Sequence, residues 1–346
     1  MKPDSSSSSY LAWFLGTLLA LLLMSAGLST YFEPLTGDLT RIGRWSEREY
    51  GPTLSQPAHP ILANGQAGLS PQVLILGDSF SYRNIWQSQL AEIGKIEPLS
   101  FQFKDVGCID NWLTWLAEKR YFDARTVIIQ VAERSFVPVF GNKRTCPRST
   151  PLPTAIQSKA KENSMDFPGM TLDAEYILRT AANTLRMRWQ EGRVSSGDVV
   201  NVPLATAKLF SNRQANRMLY YAEDENKKAW TPKDIDFAVG NLKLIQDRLL
   251  RDELRLVVAV VPDKSTTYRP YLLSEAEKNG YPDIFAAIEA AGIESVDLLT
   301  GFRRKVGVSV DFYLPDDTHL GSSGYRVMAT EIAERLKFLD KKMQPQ

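Results

Sequence analysis

Histidine and cysteine are both scarce: the 346 residues hold two of each. Cys108 and Cys146 are too few for a disulfide scaffold, and their spacing matches no metal motif. They form one bridge in an oxidising compartment or stand as two unrelated buried thiols. His59 and His319 are far apart in the chain and no ligand cluster accompanies them, which leaves a metal cofactor no evident seat. An excess of either charge is missing too. Lys and Arg number 41 against 40 Asp and Glu, a formal charge of +1, which excludes binding led by nucleic acid or by a strongly acidic partner. The remaining composition, 44% hydrophobic and 23% charged, is that of an ordinary globular chain long enough for one large domain or two modest ones.

One long hydrophobic run stands out. Residues 1–9 are a short polar tail, and residues 10–28 then run for nineteen positions without a charge, enough to span a bilayer. Tyr10, Trp13, Tyr31 and Phe32 suit the two membrane interfaces. Ser25-Ala26-Gly27 offers small residues for signal cleavage, but the run is long for a signal core, so residues 10–32 read as an uncleaved transmembrane anchor. Arg41, Arg44 and Arg48 follow the span in the company of Glu33, Asp38, Glu47 and Glu49, so charge gives little direction to the topology. Residues 33–70, with Pro34, Pro52, Pro57 and Pro60, read as a juxtamembrane linker lying as loop over the domain surface. His59 is structural or incidental in that setting.

From residue 71 to 340 the pattern is strand, helix, strand. Val73-Leu74-Ile75-Leu76 reads as a buried strand, broken by Gly77, with a helix to follow over 82–93. Residues 100–104 alternate as a second strand, 112–121 suit a short helix, and 126–131 make a central strand. This is the rhythm of a mostly parallel sheet. Residues 141–232 interrupt it as an insertion or cap. Within them, a helix over 172–189 has Ala174, Ile177, Leu178, Ala181, Leu185 and Trp189 on its expected inner side, and its Arg179, Arg186, Arg188 and Arg193 read as a solvated face, with a membrane or an anionic polymer as the other reading. The rhythm resumes with a helix over 234–252, a strand over 254–261, a helix over 281–291, a strand over 295–299 and a last helix over 323–339, leaving 341–346 as a tail.

Ser79, after Gly77-Asp78, stands at the carboxyl end of the first strand and at a helix start, where ligands of open α/β sheets sit and where helix amides favour negative charge. It caps the helix or acts as a nucleophile. His319, the sole histidine outside the linker, follows Asp316-Asp317-Thr318 at the start of the last helix. A serine hydroxyl needs a base to take its proton, and a carboxylate on the far side of the imidazole orients that base. Ser79, His319 and one of the two aspartates therefore make a coherent acyl-transfer set.

Gly77-Asp78-Ser79 and Asp316-x-x-His319 resemble the first and last blocks of SGNH (GDSL-type) hydrolases. Four segments are similar, more narrowly, to the AlgX/AlgJ-like alginate-acetylation group: residues 74–80, Val127 through Glu133-Arg134, Val260-Val261-Pro262-Asp263-Lys264 with Tyr268, and Asp317-Thr318-His319. The resemblance implies a three-layer α/β SGNH-hydrolase fold, flavodoxin-like, with a parallel sheet flanked by helices, an inserted cap and an N-terminal transmembrane helix. It implies O-acetylation of an extracytoplasmic polysaccharide through an acetyl-Ser79 intermediate, without a bound cofactor. The acetyl group would come from a membrane-bound O-acyltransferase (MBOAT) partner, and the domain would stand in the periplasm on an inner-membrane anchor. An SGNH esterase or deacetylase of glycans uses the same residues, and a non-catalytic polysaccharide-binding scaffold is the alternative outside catalysis.

Two departures accompany the resemblance. In the alginate group the Asp-Thr-His block precedes the Gly-Asp-Ser-Phe block, so the order here is circularly permuted. The Gly-x-Asn-Asp block of many SGNH enzymes is replaced by Ala132-Glu133-Arg134-Ser135. The expected oxyanion donors are then the Ser79 and Gly107 amides. Arg134, Lys264 and Tyr268 are substrate-binding candidates, with a buried Glu133–Arg134 ion pair as the other reading of Arg134. The Asp-x-His spacing of the alginate group selects Asp317 as the triad acid, and the Asp-x-x-His spacing of ordinary SGNH enzymes selects Asp316.

Overall fold

A computed structural model describes residues 5–32, 35–58, 71–118, 124–141 and 174–343. Helix α1 (Ser5–Phe32) comes first. Its Ser9–Gly27 segment is long and apolar enough to cross a membrane, and none of it is buried against the rest of the protein. Helix α2 (Asp38–Gly43) follows, and with it the first difference from expectation. Residues 35–58 are not a loose surface loop. Leu39, Trp45 and Tyr50 bury themselves in a cluster with Val194, Val199 and Leu219, because this stretch carries enough apolar area to be drawn out of water. His59 lies outside the described residues.

The α/β part then unfolds in order. Strand β1 (Val73–Gly77), helix α3 (Ile85–Gly94), strand β2 (Pro98–Gln102), helix α4 (Ile109–Glu118), strand β3 (Thr126–Ala132) and the short α5 (Phe136–Phe140) lead to α6 (Ala174–Trp189). Strands β4 (Val194–Ser196), β5 (Val199–Pro203) and β6 (Arg217–Tyr221) follow, then α7 (Pro232–Arg251), β7 (Arg255–Val261), α8 (Ile284–Ala290), α9 (Leu298–Val306) and α10 (Ser322–Met343).

The main sheet has the order β2-β1-β3-β7, and each neighbouring pair is parallel. Every residue of β1 and β3 is buried, which accounts for their unbroken apolar runs. Successive side chains alternate between two cores. Ile75, Ile128 and Val257 meet Trp86 and Leu90 of α3 and Met328 and Ile332 of α10. Leu76, Ile129 and Val258 meet Trp112 of α4, Phe136 of α5 and Leu242 of α7. This is the three-layer α/β architecture expected from the motifs.

The expected strand at 295–299 shrinks to a single parallel bridge between Ser295 and Val258. The Asp297 carboxylate accepts from the Thr300 amide and starts α9 there, so the local capping signal overrides the strand pattern. The inserted region contributes an antiparallel sheet, β4-β5-β6, whose Val200, Val202, Met218 and Tyr220 join the first core. Helix α6 is rotated from its expected setting. It buries Tyr176, Ile177, Thr180 and Asn183 and leaves Leu178, Leu185 and Trp189 in the open. Asn183 sets this rotation: its amide donates to the Gly43 and Arg44 carbonyls, which end α2 and have no helical partner.

Beyond the carboxyl ends of β3 and β7 lies a buried charge cluster. Lys227 pairs with Glu133 at 2.9 Å and with Asp263, and Arg134 pairs with Asp263 at 3.0 Å and Asp224 at 3.5 Å. The Glu133–Arg134 pair, the other reading of Arg134, does not form. Each side chain reaches across to a neighbouring element instead. Replacing Lys227 by Met would leave three buried carboxylates facing one guanidinium, so Lys227→Met is expected to cost roughly 3–5 kcal/mol, read as a lowered urea midpoint.

Candidate active site

Gly77 closes β1 at a place where no side chain fits: a Cβ there would stand 2.2 Å from the Ser81 hydroxyl and 2.9 Å from Gln130 Oε1. The chain then turns through a single 3₁₀ turn, Ser79–Ser81, capped by the Asp78 carboxylate on the Phe80 amide. Asp78 thus caps the turn, leaving the Ser79 hydroxyl free of that role, and it is held in turn. Its carboxylate accepts from Gln130 Nε2 at 2.9 Å and from the Ala132 amide at 2.5 Å, while its own amide donates to Gln130 Oε1 at 3.2 Å. Gln130 is wholly buried in β3, so the central strand itself positions the turn that presents Ser79. With β2 and β3 on opposite sides of β1, that turn sits where the strand order reverses, the usual ligand crevice of an open α/β sheet.

His319 arrives from the other end of the chain. Its Nε2 lies 2.9 Å from Ser79 Oγ and its Nδ1 lies 2.7 Å from Asp317 Oδ1. The same Asp317 oxygen accepts the His319 amide at 3.0 Å, and the Phe80 ring packs 5.0 Å from the imidazole, centroid to centroid. Burial resists the charge on Asp317, but the hydrogen bond and charge of His319 hold its carboxyl down at about 2. Asp317 therefore stays ionised as a partner for a protonated imidazole, which is what a triad acid must do. Asp316, the alternative acid, does not reach the ring. It is buried against the Glu47 carboxyl, and burial first, then Glu47, push it up to about 9. Asp38, on α2, offers a second carboxylate 3.7 Å from Nδ1.

Asp38, Asp317 and His319 are also the one set of potential metal ligands gathered among the described residues, with their ligand atoms within 4.8 Å of one another. The imidazole and Asp317 already satisfy each other there, so a cation would enter only by displacing that bond.

Ser79 and His319 open into a groove of about 700 Å³ lined by Asp38 and Gln56 from the N-terminal stretch and by Tyr82, Arg83, Gln102 and Lys104 around the serine turn. Lys104 Nζ stands 4.5 Å from the centre of the exposed Tyr82 ring. The Ser79 amide has no acceptor among the described residues, which leaves it free for an oxyanion. Gly107 does not supply the second donor. Its amide is spent on the Phe103 carbonyl at 3.1 Å, ending a helical turn. The side-chain amide nitrogen of Gln102 is the better candidate: it is buried, has no hydrogen-bond partner among the described residues, and belongs to the residue opposite Gly77 in the β1–β2 register. The sequence reading missed Gln102, and the signal available was a polar residue ending a strand next to the nucleophile strand.

The three substrate-binding candidates lie away from the groove. Lys264 is buried and donates to the carbonyls of Leu314, Pro315 and Asp317 at 2.7, 3.0 and 3.1 Å. Burial pushes its ammonium down to about 7, against the pull of Asp316 and Asp317. It shapes the loop that carries the acid and touches no open space. Tyr268 is fully buried, its hydroxyl accepting from the Tyr313 amide, and Arg134 is held by Asp263 and Asp224. Cys108 is disulfide-bonded, and Cys146 lies outside the described residues.

The sheet presents a serine after its first strand and an Asp-Thr-His loop before its last helix, the placement that the likeness to SGNH hydrolases implies. Residues 216–345 match the family described as SGNH hydrolase-like domain, acetyltransferase AlgX, which supports the SGNH/AlgX-like likeness carried by the motifs. The matched stretch holds Asp263, Lys264, Asp317 and His319 and stops well short of Ser79. No curated protein matches the chain.

The two aspartates separate by substitution. Asp317→Asn is expected to lower turnover of an activated ester on the order of 10³–10⁴-fold, and Asp316→Asn to leave it nearly intact. In stability the order reverses. The folded protein keeps a proton on Asp316 that the unfolded chain releases above about pH 4, so this residue makes stability fall as pH rises. Asp316→Asn should flatten the fall in urea midpoint between about pH 5 and 7.

Proposed function

We propose that this protein is a membrane-anchored, serine-dependent O-acyltransferase that acetylates a hydroxyl of an extracytoplasmic polysaccharide. The observation that carries the reading is the continuous hydrogen-bonded line from Ser79 Oγ through His319 to Asp317. His319 Nε2 takes the serine proton as Ser79 Oγ attacks the acetyl carbonyl. The tetrahedral oxyanion is met by the Ser79 amide and Gln102 Nε2. The donor's leaving group departs with the proton from His319, and acetyl-Ser79 remains. A sugar hydroxyl then gives its proton to His319 and attacks the acetyl carbon, restoring Ser79. No cofactor enters the balance.

The position of the groove supports a donor handed over at the membrane. Asp38 lines it six residues beyond Phe32, the end of α1, and six residues reach at most about 21 Å. A partner of the MBOAT type, exporting acetyl groups, would meet Ser79 close to the periplasmic face of the inner membrane. The groove is open and flanked by an exposed tyrosine and two cationic side chains, a form suited to a passing polymer rather than to an enclosed small molecule. Ser79 is also exposed to water, which favours an esterase of glycans as the second reading. Both use every residue named, and the acceptor alone distinguishes them.

The test is to incubate the full chain in nanodiscs with an activated acetyl ester and candidate glycans. Mass spectrometry should find acetyl on Ser79 and on the glycan. Free acetate alone would favour the esterase, and no acetyl-Ser79 with wild-type activity equal to that of Ser79→Ala would leave only a binding scaffold. Gln102→Leu is expected to retain the acetyl-accepting serine but lower turnover by about 10²–10³-fold.

A further inference from the structure

We propose that the outward face of α6 is a second membrane-contact surface, lying along the bilayer interface beside the end of α1. The inference rests on the reading of α1 as a membrane span and not on the chemistry at Ser79. Leu178, Leu185 and Trp189 are 68%, 55% and 84% exposed, and Ala182 is exposed between them. Their spacing of four, three and four residues places them in one stripe along the helix. Arg179 and Arg186, both exposed, lie along one edge of that stripe, where Arg179 pairs with Glu175 at 3.0 Å. The opposite face, turned to the domain, includes buried Thr180 and Asn183. A helix on a water-facing surface normally turns its apolar stripe inward. This one shows bulky apolar groups and arginines outward, the pairing of residues that settles at a headgroup–acyl boundary.

The position of the helix names the occupant. Helix α6 packs against α1, and its Tyr176 and Ile177 pack on Leu35, three residues beyond the end of α1. Three residues extend at most about 11 Å, so the first turns of α6 lie within that distance of the point where the span emerges. Sixteen residues of helix then run for about 24 Å. Trp189 at its far end suits an interfacial anchor, and the arginines suit anionic headgroups. Two contacts with the bilayer would stop the domain turning freely about a single helix and would hold the groove at a set height above the membrane.

The test uses the full chain in nanodiscs of phosphatidylcholine and phosphatidylglycerol. Nitroxide labels are placed at Leu178→Cys, Leu185→Cys, Leu19→Cys within α1 and Leu250→Cys, an exposed site on α7, with the unsubstituted chain as the labelling control. Collisions with oxygen should exceed those with a water-soluble nickel chelate at 178, 185 and 19, and fall below them at 250. Labels at 178 and 185 that favour the chelate while 19 favours oxygen would overturn the surface and leave the anchor standing. A label at 19 that favours the chelate would overturn both. Labels at 178 and 185 shielded from both reagents would mean a protein occupant and would overturn the lipid assignment.

Discussion

A lysine ammonium sealed from water holds the Asp-Thr-His loop in shape. Lys264 leaves the end of β7 and gives its three protons to the carbonyls of Leu314, Pro315 and Asp317, with the Phe210 ring 5.2 Å from its nitrogen. Taking an ammonium out of water costs several kcal/mol, and only well-directed hydrogen bonds and nearby negative charge offset it. Here both are supplied by the segment that must be ordered: its carbonyls accept the hydrogen bonds, and the ionised Asp317 carboxylate lies in it. The loop's polar backbone therefore turns inward on the lysine, and Asp317 is left at the rim facing His319. Ser79, His319 and Asp317 meet because two strand ends and one loop are tied together from below.

The same economy governs the N-terminal side. Glu47 gathers the Thr36 amide and hydroxyl, the Gly37 amide and the Thr40 hydroxyl, while the Asp316 carbonyl accepts the Leu39 and Thr40 amides. Gly37 passes so close that a Cβ would stand 2.3 Å from the Asp316 carbonyl oxygen. Gln56 Oε1 then accepts the Ser322 amide at the start of the last helix. The stretch from Thr36 to Pro57 is thus one wall of the groove that holds Ser79. The two adjacent aspartates of the loop are held in opposite states: burial and then Glu47 keep a proton on Asp316, and His319 keeps Asp317 ionised.

Much of this was legible in the chain. Val73 to Leu76 and Thr126 to Ala132 announce buried parallel strands because both faces of a central strand need apolar residues. Ser79 and His319 could be paired because so few histidines compete. What misled was any residue whose partner is remote. Lys264 and Tyr268 sit in a recognisable motif, but whether a polar group faces a groove or a set of carbonyls depends on a loop fifty residues away. Gly107 looked available until its amide was seen to close a local turn. The α6 periodicity admitted two rotations, and Asn183, meeting the orphan carbonyls of α2, chose the one that exposes leucine and tryptophan.

The sequence by itself determined the α/β class, the apolar span near the N-terminus and the Ser, His and Asp types that chemistry would need, since each follows from local periodicity or from residue identity. Tertiary structure alone put Asp317 rather than Asp316 against His319, spent the Gly107 amide on a local turn, and turned residues 35–58 from linker into wall. Those choices rest on hydrogen bonds and burial between segments distant in the chain, and such energies exist only once the sheet has brought the segments together.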